Sequence, residues 1–223
     1  MIITEVPHLF FGNYFCILRK RHSAFVCISK NACTFLKSVA IYNHTGLMPE
    51  EEIRIHDTVG YSPYNGYLIP VSSMQDYERL HGPLLKFAVW RDPVQRLLSA
   101  YAWFILGKNR NRYFQWLDLY ADSGFDRFLE FVSFELGKSV PENQDEHIRR
   151  QCDYYEGKQV DVIVPLERLD TFLACNQLPV LRKQNQSSRR HLSLTDEQRE
   201  TIRGLYARDY QFMEDNRHLA YEG

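Results

Sequence analysis

Short, predominantly apolar runs alternate along this chain with longer stretches whose apolar residues recur every three or four positions. Residues 25–28, 84–90 and 160–164 are runs of the first kind, and they read as strands buried on both faces. Residues 34–42, 74–80 and 125–136 have helical spacing. So do Leu97, Leu98, Tyr101 and Phe104, which places them in the core. Asp92 followed by Pro93 is a helix start, because the carboxylate can cap the first turn and the proline needs no donor there. Thr195 with Gln198 three residues later has the form of a capping box, opening a last helix that runs to about residue 213. Residues 52–56 form a short alternating strand candidate, and residues 60–70, rich in Tyr, Pro and Gly, read as a loop. Strands that alternate with helices are joined by right-handed crossovers, so the pattern predicts an α/β fold with a mainly parallel sheet. Ligands of such a sheet bind at the carboxyl ends of its strands.

The length of 223 residues suits one α/β domain over residues 1–223, and no repeat or long linker divides it. A formal net charge of −1 argues against a broad basic surface for nucleic acid. The basic stretch Arg19-Lys20-Arg21 reads as a solvated turn. No apolar run approaches the ~20 residues of a membrane span. Residues 9–16 are interrupted by Gly12 and Asn13 and lack the basic start of a signal peptide. With Met1 at the start, the expectation is a soluble, cytoplasmic protein. The five cysteines, Cys16, Cys27, Cys33, Cys152 and Cys175, are odd in number and widely spaced, which predicts reduced thiols rather than a disulfide frame. The position six residues after Cys33 is Val39, so the arginine of a Cys-x5-Arg phosphatase loop is missing and Cys33 is read as a small packing residue. No ligand pattern for a metal is present.

Candidate chemistry concentrates in two segments. Ser29-Lys30-Asn31-Ala32-Cys33-Thr34-Phe35-Leu36-Lys37 follows the first apolar run, and Trp90-Arg91-Asp92-Pro93-Val94-Gln95-Arg96-Leu97-Leu98-Ser99-Ala100-Tyr101 follows the second. A strand that turns into a helix aims backbone N–H groups and the positive helix end at one spot, which suits phosphate-like anions. Two such places predict a nucleotide-type ligand with two separated anionic groups. The first segment lacks the glycines of the ATP-binding Gly-x4-Gly-Lys-Ser/Thr loop, which counts against a small-molecule kinase. A non-catalytic nucleotide-binding module is the remaining alternative.

Both segments resemble those of the sulfotransferases that use 3′-phosphoadenosine 5′-phosphosulfate (PAPS), in the carbohydrate, family 2-like branch. Lys30-Asn31-Ala32-Cys33-Thr34 is similar to their 5′-phosphosulfate loop, and Arg91-Asp92-Pro93 with Arg96-Leu97 and Ser99-Ala100-Tyr101 to their 3′-phosphate signature. Asp145-Glu146-His147, Cys152, the run 160–169, Leu194-Thr195-Asp196-Glu197, Tyr206 and Asp209-Tyr210 follow the later pattern in order. Trp90 and Ile148 depart from it. Animal Golgi members of that branch carry an N-terminal anchor, so the resemblance implies a cytoplasmic enzyme of bacterial type rather than a truncated Golgi lumenal catalytic domain.

The resemblance implies a P-loop-like three-layer fold with helices flanking the sheet, and sulfuryl transfer from PAPS without a metal. Lys30 would stabilise the leaving 5′-phosphate, while the backbone of Asn31, Ala32, Cys33 and Thr34 holds the phosphosulfate. Arg91 and Ser99 would grip the 3′-phosphate, with Ser188 or Arg189 contributing from a late loop that closes over the nucleotide. Arg96 is read as structural, and Lys37 either adds charge or faces solvent. His56 is the first candidate for general base, since its place between the two cofactor segments resembles that of the catalytic histidine in the heparan 2-O-sulfotransferase branch. His147 is the second, as a base or as a group that orients the acceptor. The implied acceptor is a sugar hydroxyl on a glycan or glycolipid, or a small alcohol. Tyr61, Tyr64 and Tyr67 are candidates for stacking on it.

Overall fold

The computed structural model of the chain describes residues 14–47, 55, 67–106, 124–155, 158–181 and 193–223. Its sheet is built from β1 (Tyr14–Leu18), β2 (Ser23–Val26), β3 (Leu68–Pro70), β4 (Leu85–Trp90) and β5 (Val162–Pro165), in the order β3-β1-β2-β4-β5. β2, β4 and β5 are mutually parallel, with Phe25 opposite Phe87 and Ala88 opposite Ile163. β1 runs against both its neighbours, placing Cys16 between Phe25 and Leu68. β3 therefore points the same way as β2, and β1 alone among these strands opposes the rest. The fold is α/β with the mainly parallel sheet that the sequence pattern predicts.

The pleat sends alternate side chains to opposite faces, and each face has its own helices. Cys16, Leu18, Phe25, Phe87, Val89 and Val164 pack against α1 (Cys33–Thr45) and α6 (Leu169–Cys175). Phe15, Ile17, Ala24, Val26, Ala88 and Ile163 pack against α2 (Met74–His81), α5 (Cys152–Tyr155) and α8 (Ala207–Asp215). A third cluster joins α3 (Pro93–Tyr101), α4 (Gly124–Leu136) and α7 (Asp196–Leu205) around Leu97, Tyr101, Phe128, Val132 and Ile202. Each large apolar side chain so buried contributes roughly 1.5–3 kcal/mol.

The helix starts at Asp92 and Thr195 form as their residues predict. The Asp92 carboxylate accepts from the Gln95 amide, and Thr195 and Gln198 cap each other reciprocally. Arg19–Arg21 is an exposed 3₁₀ turn, as expected of a solvated basic stretch.

Four readings change. β1 was not anticipated, because its apolar residues follow a Gly and an Asn that mask their alternation. Ile55, the one described residue of 52–56, has helical backbone and is buried, so the strand candidate is not upheld there. Leu68–Pro70, read as loop, forms an edge strand on β1. The last helix is two helices, broken at Tyr206, whose hydroxyl is drawn inward to donate to the Ile148 carbonyl at 2.6 Å.

Candidate active site

The loop after β2 crosses the carboxyl edge of the sheet and enters α1. Lys30 and Ala32 both have left-handed backbone, with φ of +67° and +59°. These non-glycine residues bear a local cost of roughly 1–2 kcal/mol each, which the contacts around them offset. Ala32 is the N-cap of α1 and has no side chain able to accept from the first turn. The positive end of α1 is thus left without a side-chain cap, beside Lys30. Between the two, Asn31 turns inward, 1% exposed, and donates from Nδ2 to the Val89 carbonyl at 2.7 Å and to Gln151 Oε1 at 2.5 Å. Cys33 and Ala32 pack on the core of the α1 face, which agrees with a packing role for Cys33. Lys37 is buried rather than solvent-facing. Burial pulls its ammonium down, yet Cys27, Cys33 and Glu146 act to raise it, and the net direction is upward.

The second segment leaves β4 one strand away. Here the helix end is closed, since Asp92 Oδ1 accepts from the Gln95 amide at 3.0 Å. The Asp92 carboxylate thus occupies this helix end, which makes it less suited to an anion than the start of α1. Arg91 Nη1 donates to the Lys30 carbonyl at 2.9 Å. The Arg91 backbone is held on both sides by one carboxamide: its N–H donates to Gln151 Oε1 at 3.1 Å, and its carbonyl accepts from Gln151 Nε2 at 2.8 Å. Arg96, 1% exposed, donates to the carbonyls of Ser29, Arg149 and Glu146 at 2.9, 2.7 and 3.2 Å. That is a structural role, as expected. Ser99 is half-buried on α3, about two turns beyond Arg91.

A third group comes from distant parts of the chain. α3 ends in a π-helical turn, Ala102–Leu106, and π turns of this kind often re-aim side chains at sites. Lys30 Nζ lies over the rings of Trp103 and Phe104, 5.2 and 5.5 Å from their centroids. Phe104 meets His147 edge-on at 4.6 Å. Asp145 Oδ1 accepts from the His147 amide at 2.8 Å and lies 3.0 Å from His147 Nδ1. Burial acts to raise the Asp145 carboxyl, but the charge and hydrogen bonds of His147, with help from Arg149, hold it below the usual range. Glu146 Oε2 accepts from Ser29 Oγ at 3.2 Å, and its Oε1 lies 3.8 Å from His147 Nε2. The segment carrying His147 thus abuts the loop carrying Lys30.

The structure joins Lys30, Asn31 and Arg91 directly, and brings His147 to Lys30 through Phe104. Ala32, Cys33 and Thr34 lie at the start of α1 beside them. Ser99 is joined to this group by no hydrogen bond of its side chain among the described residues. His56, Ser188, Arg189, Tyr61 and Tyr64 lie outside the described residues. Tyr67 is corrected: it is 7% exposed and stacked on His44 at 4.3 Å, so its ring is already covered. Sequence reasoning missed Gln151, Trp103 and Phe104. Only the nearness of Gln151 to Asp145-Glu146-His147 and Cys152 pointed towards it. Among the described residues no group of three or more His, Cys, Asp or Glu side chains is placed to hold a metal ion. All five cysteines are free thiols. Burial pushes the Cys27 thiol up to about 12.

Among the described residues no helix is long and apolar enough to cross a membrane. Of the curated proteins and the solved structures, none matches the chain significantly. The family model described as the sulfotransferase family matches residues 13–214.

Proposed function

This chain belongs to the sulfotransferase family, and on that footing we propose that it moves a sulfuryl group from PAPS to an acceptor hydroxyl on a glycan, a glycolipid or a small alcohol. The observation that carries the reading is the pairing of two different cationic places on adjacent parallel strands. One is the end of α1, without a side-chain cap, beside Lys30; the other is Arg91, 2.9 Å from the Lys30 carbonyl. The donor chemistry fits such a pair, since PAPS carries anionic groups at both its 5′ and 3′ positions. When bound, it supplies a sulfuryl group on a phosphate that can leave.

Lys30, with the amides of residues 31–34, would hold the 5′ anion and balance the charge that grows on it as the bridging S–O bond breaks. Arg91 would read the 3′-phosphate with its guanidinium fork, aided by Ser99 and by Ser188 or Arg189. As the acceptor oxygen bonds to sulfur, its proton passes to a histidine. An Nδ1–H directed at Asp145 leaves His147 Nε2 as the basic atom, and this supports His147 for the role that the sequence first gave to His56.

Calorimetry with adenosine 3′,5′-bisphosphate, 5′-AMP and ATP tests the donor class. The bisphosphate should bind at least about tenfold more tightly than 5′-AMP, one charge-assisted contact being worth that much. Equal affinities would remove PAPS as the donor. Transfer of labelled sulfate to a panel of sugars, glycolipids and alcohols identifies the acceptor.

A further inference from the structure

We infer that Gln151 is a positioning residue that holds the two anion-binding loops in register, and so sets the separation at which the two anionic groups of a nucleotide are bound together. Only the identity of that nucleotide rests on the donor reading above.

The carboxamide of Gln151 is fully buried and makes three hydrogen bonds. Oε1 accepts from Asn31 Nδ2 in the first loop and from the Arg91 amide in the second, while Nε2 donates to the Arg91 carbonyl. The two acceptors facing Asn31, Gln151 Oε1 and the Val89 carbonyl, fix its orientation; its Oδ1 is consequently buried without a partner, a local cost. The backbone of Gln151 is itself pinned. Its amide donates to Asp209 Oδ2 at 3.1 Å, and the next amide, of Cys152, to Asp209 Oδ1 at 2.9 Å. Asp209 is fully buried on α8, so the brace is anchored on the layer behind the sheet.

Arg96 also ties Ser29 to α3, but the direct link from Arg91 to Lys30 uses the Arg91 guanidinium, which an anion would compete for. Gln151 holds Arg91 by its backbone, so its link persists while the guanidinium is engaged. A ligand with two joined anions gains from the second contact only when both subsites are held at the matching distance. Loosening the brace should therefore cost joint binding more than it costs either subsite alone.

The test uses Gln151→Leu and Gln151→Glu in the full chain. With Gln151→Leu, adenosine 3′,5′-bisphosphate should bind about tenfold more weakly, while 5′-AMP and 3′-AMP each change by less than about threefold. Equal losses for the bisphosphate and for one monophosphate would overturn the inference, because the side chain would then serve one loop alone. Gln151→Glu keeps the shape and covers the case in which the leucine variant does not fold. Its protonated carboxyl can both accept and donate as the amide does, whereas the carboxylate opposes the Arg91 carbonyl. Its affinity for the bisphosphate should therefore recover as pH is lowered, relative to the parent protein, and a parallel profile would overturn the brace.

Amide hydrogen exchange without nucleotide separates this inference from the donor reading. Residues 30–34 and 90–92 should both exchange faster in either variant, with Gly124–Leu136 unchanged. Faster exchange at one loop alone overturns the inference whatever the donor proves to be.

Discussion

The guanidinium of Arg91, at the end of β4, reaches the loop that follows the adjacent β2 and donates to the carbonyl of Lys30 at 2.9 Å, so the cation of the second loop touches the backbone of the first. A guanidinium presents its donors as a planar fork, the geometry that grips a phosphate. Arg91→Ala should weaken binding of adenosine 3′,5′-bisphosphate by about one to two decades, for the loss of roughly 1.5–3 kcal/mol of charge-assisted contact, with 5′-AMP little affected. Arg91→Lys should recover only part of this, since a lysine lacks the fork. Calorimetry with both nucleotides decides it. An unchanged preference for the 3′-phosphate would mean that this phosphate is bound elsewhere.

Lys30 rests on the faces of Trp103 and Phe104, a contact worth about 0.5–2 kcal/mol that keeps the ammonium at the loop rather than free in solvent. If its chief work is on charge that appears only as the bond to sulfur breaks, Lys30→Ala should lower turnover by roughly 10²-fold or more. Binding of the desulfated nucleotide should change far less. Turnover near the parent value in single-turnover assays with saturating PAPS would take Lys30 out of the mechanism.

The parts of this arrangement that the sequence made legible are those encoded by neighbours. Asp92-Pro93 and Thr195 with Gln198 announce helix starts because a cap is chosen by residues three apart. The apolar runs announce β4 and β5 because parallel strands covered by helices are buried on both faces. Arg91 and Lys30 were legible because each follows such a run within two residues. Gln151 was not, since its bonds to Asn31 and Arg91 span 120 and 60 positions and depend on how β4 and α5 come together. Tyr206 interrupts the last helix for the same kind of reason, a hydrogen bond to Ile148 some 58 residues away. Ala32 is a third case. Residue type alone gives no hint of left-handed backbone there, and the surrounding packing imposes it.

Asp145 makes stability depend on acidity with a definite sign. Its carboxyl lies below the usual range in the folded protein, so its ionised form favours folding above the unfolded value near 4, and that contribution fades as pH falls through the lower folded value. Asp145→Asn should be less stable than the parent at neutral pH, and the gap should narrow as pH drops below about 4. Urea midpoints measured across that range check it. A gap that stays constant with pH would show that the ionised carboxylate gives the fold no net support.

Thiol accessibility maps the first loop independently of activity. Cys175 is exposed and Cys33 half-buried, whereas Cys16 and Cys27 are buried and burial pushes the thiol of each upward. Alkylation at neutral pH followed by peptide mapping should label Cys175 and Cys33, and reach Cys16 and Cys27 only after unfolding. Bound adenosine 3′,5′-bisphosphate should slow labelling at Cys33 and leave Cys175 unchanged. Equal protection at both, or at neither, would place the nucleotide away from the start of α1.

The assignment of the proton acceptor separates two histidines by one comparison. His147 is oriented by Asp145 through its ring and its backbone, and Phe104 connects it to Lys30, whereas His56 rests on its place in the sequence between the two cofactor segments. Removing a general base costs ~10²–10⁴ in rate with little effect on cofactor binding. In single-turnover assays with saturating PAPS, His147→Ala should show that loss. Asp145→Asn should show a smaller one, because it frees the ring to rotate and to change tautomer without removing it. His56→Ala should then be mild. If His56→Ala alone abolishes transfer, His56 is the base and His147 orients the acceptor. If neither variant matters, Glu146 becomes the acceptor to test, since its carboxylate lies within 3.8 Å of the same imidazole.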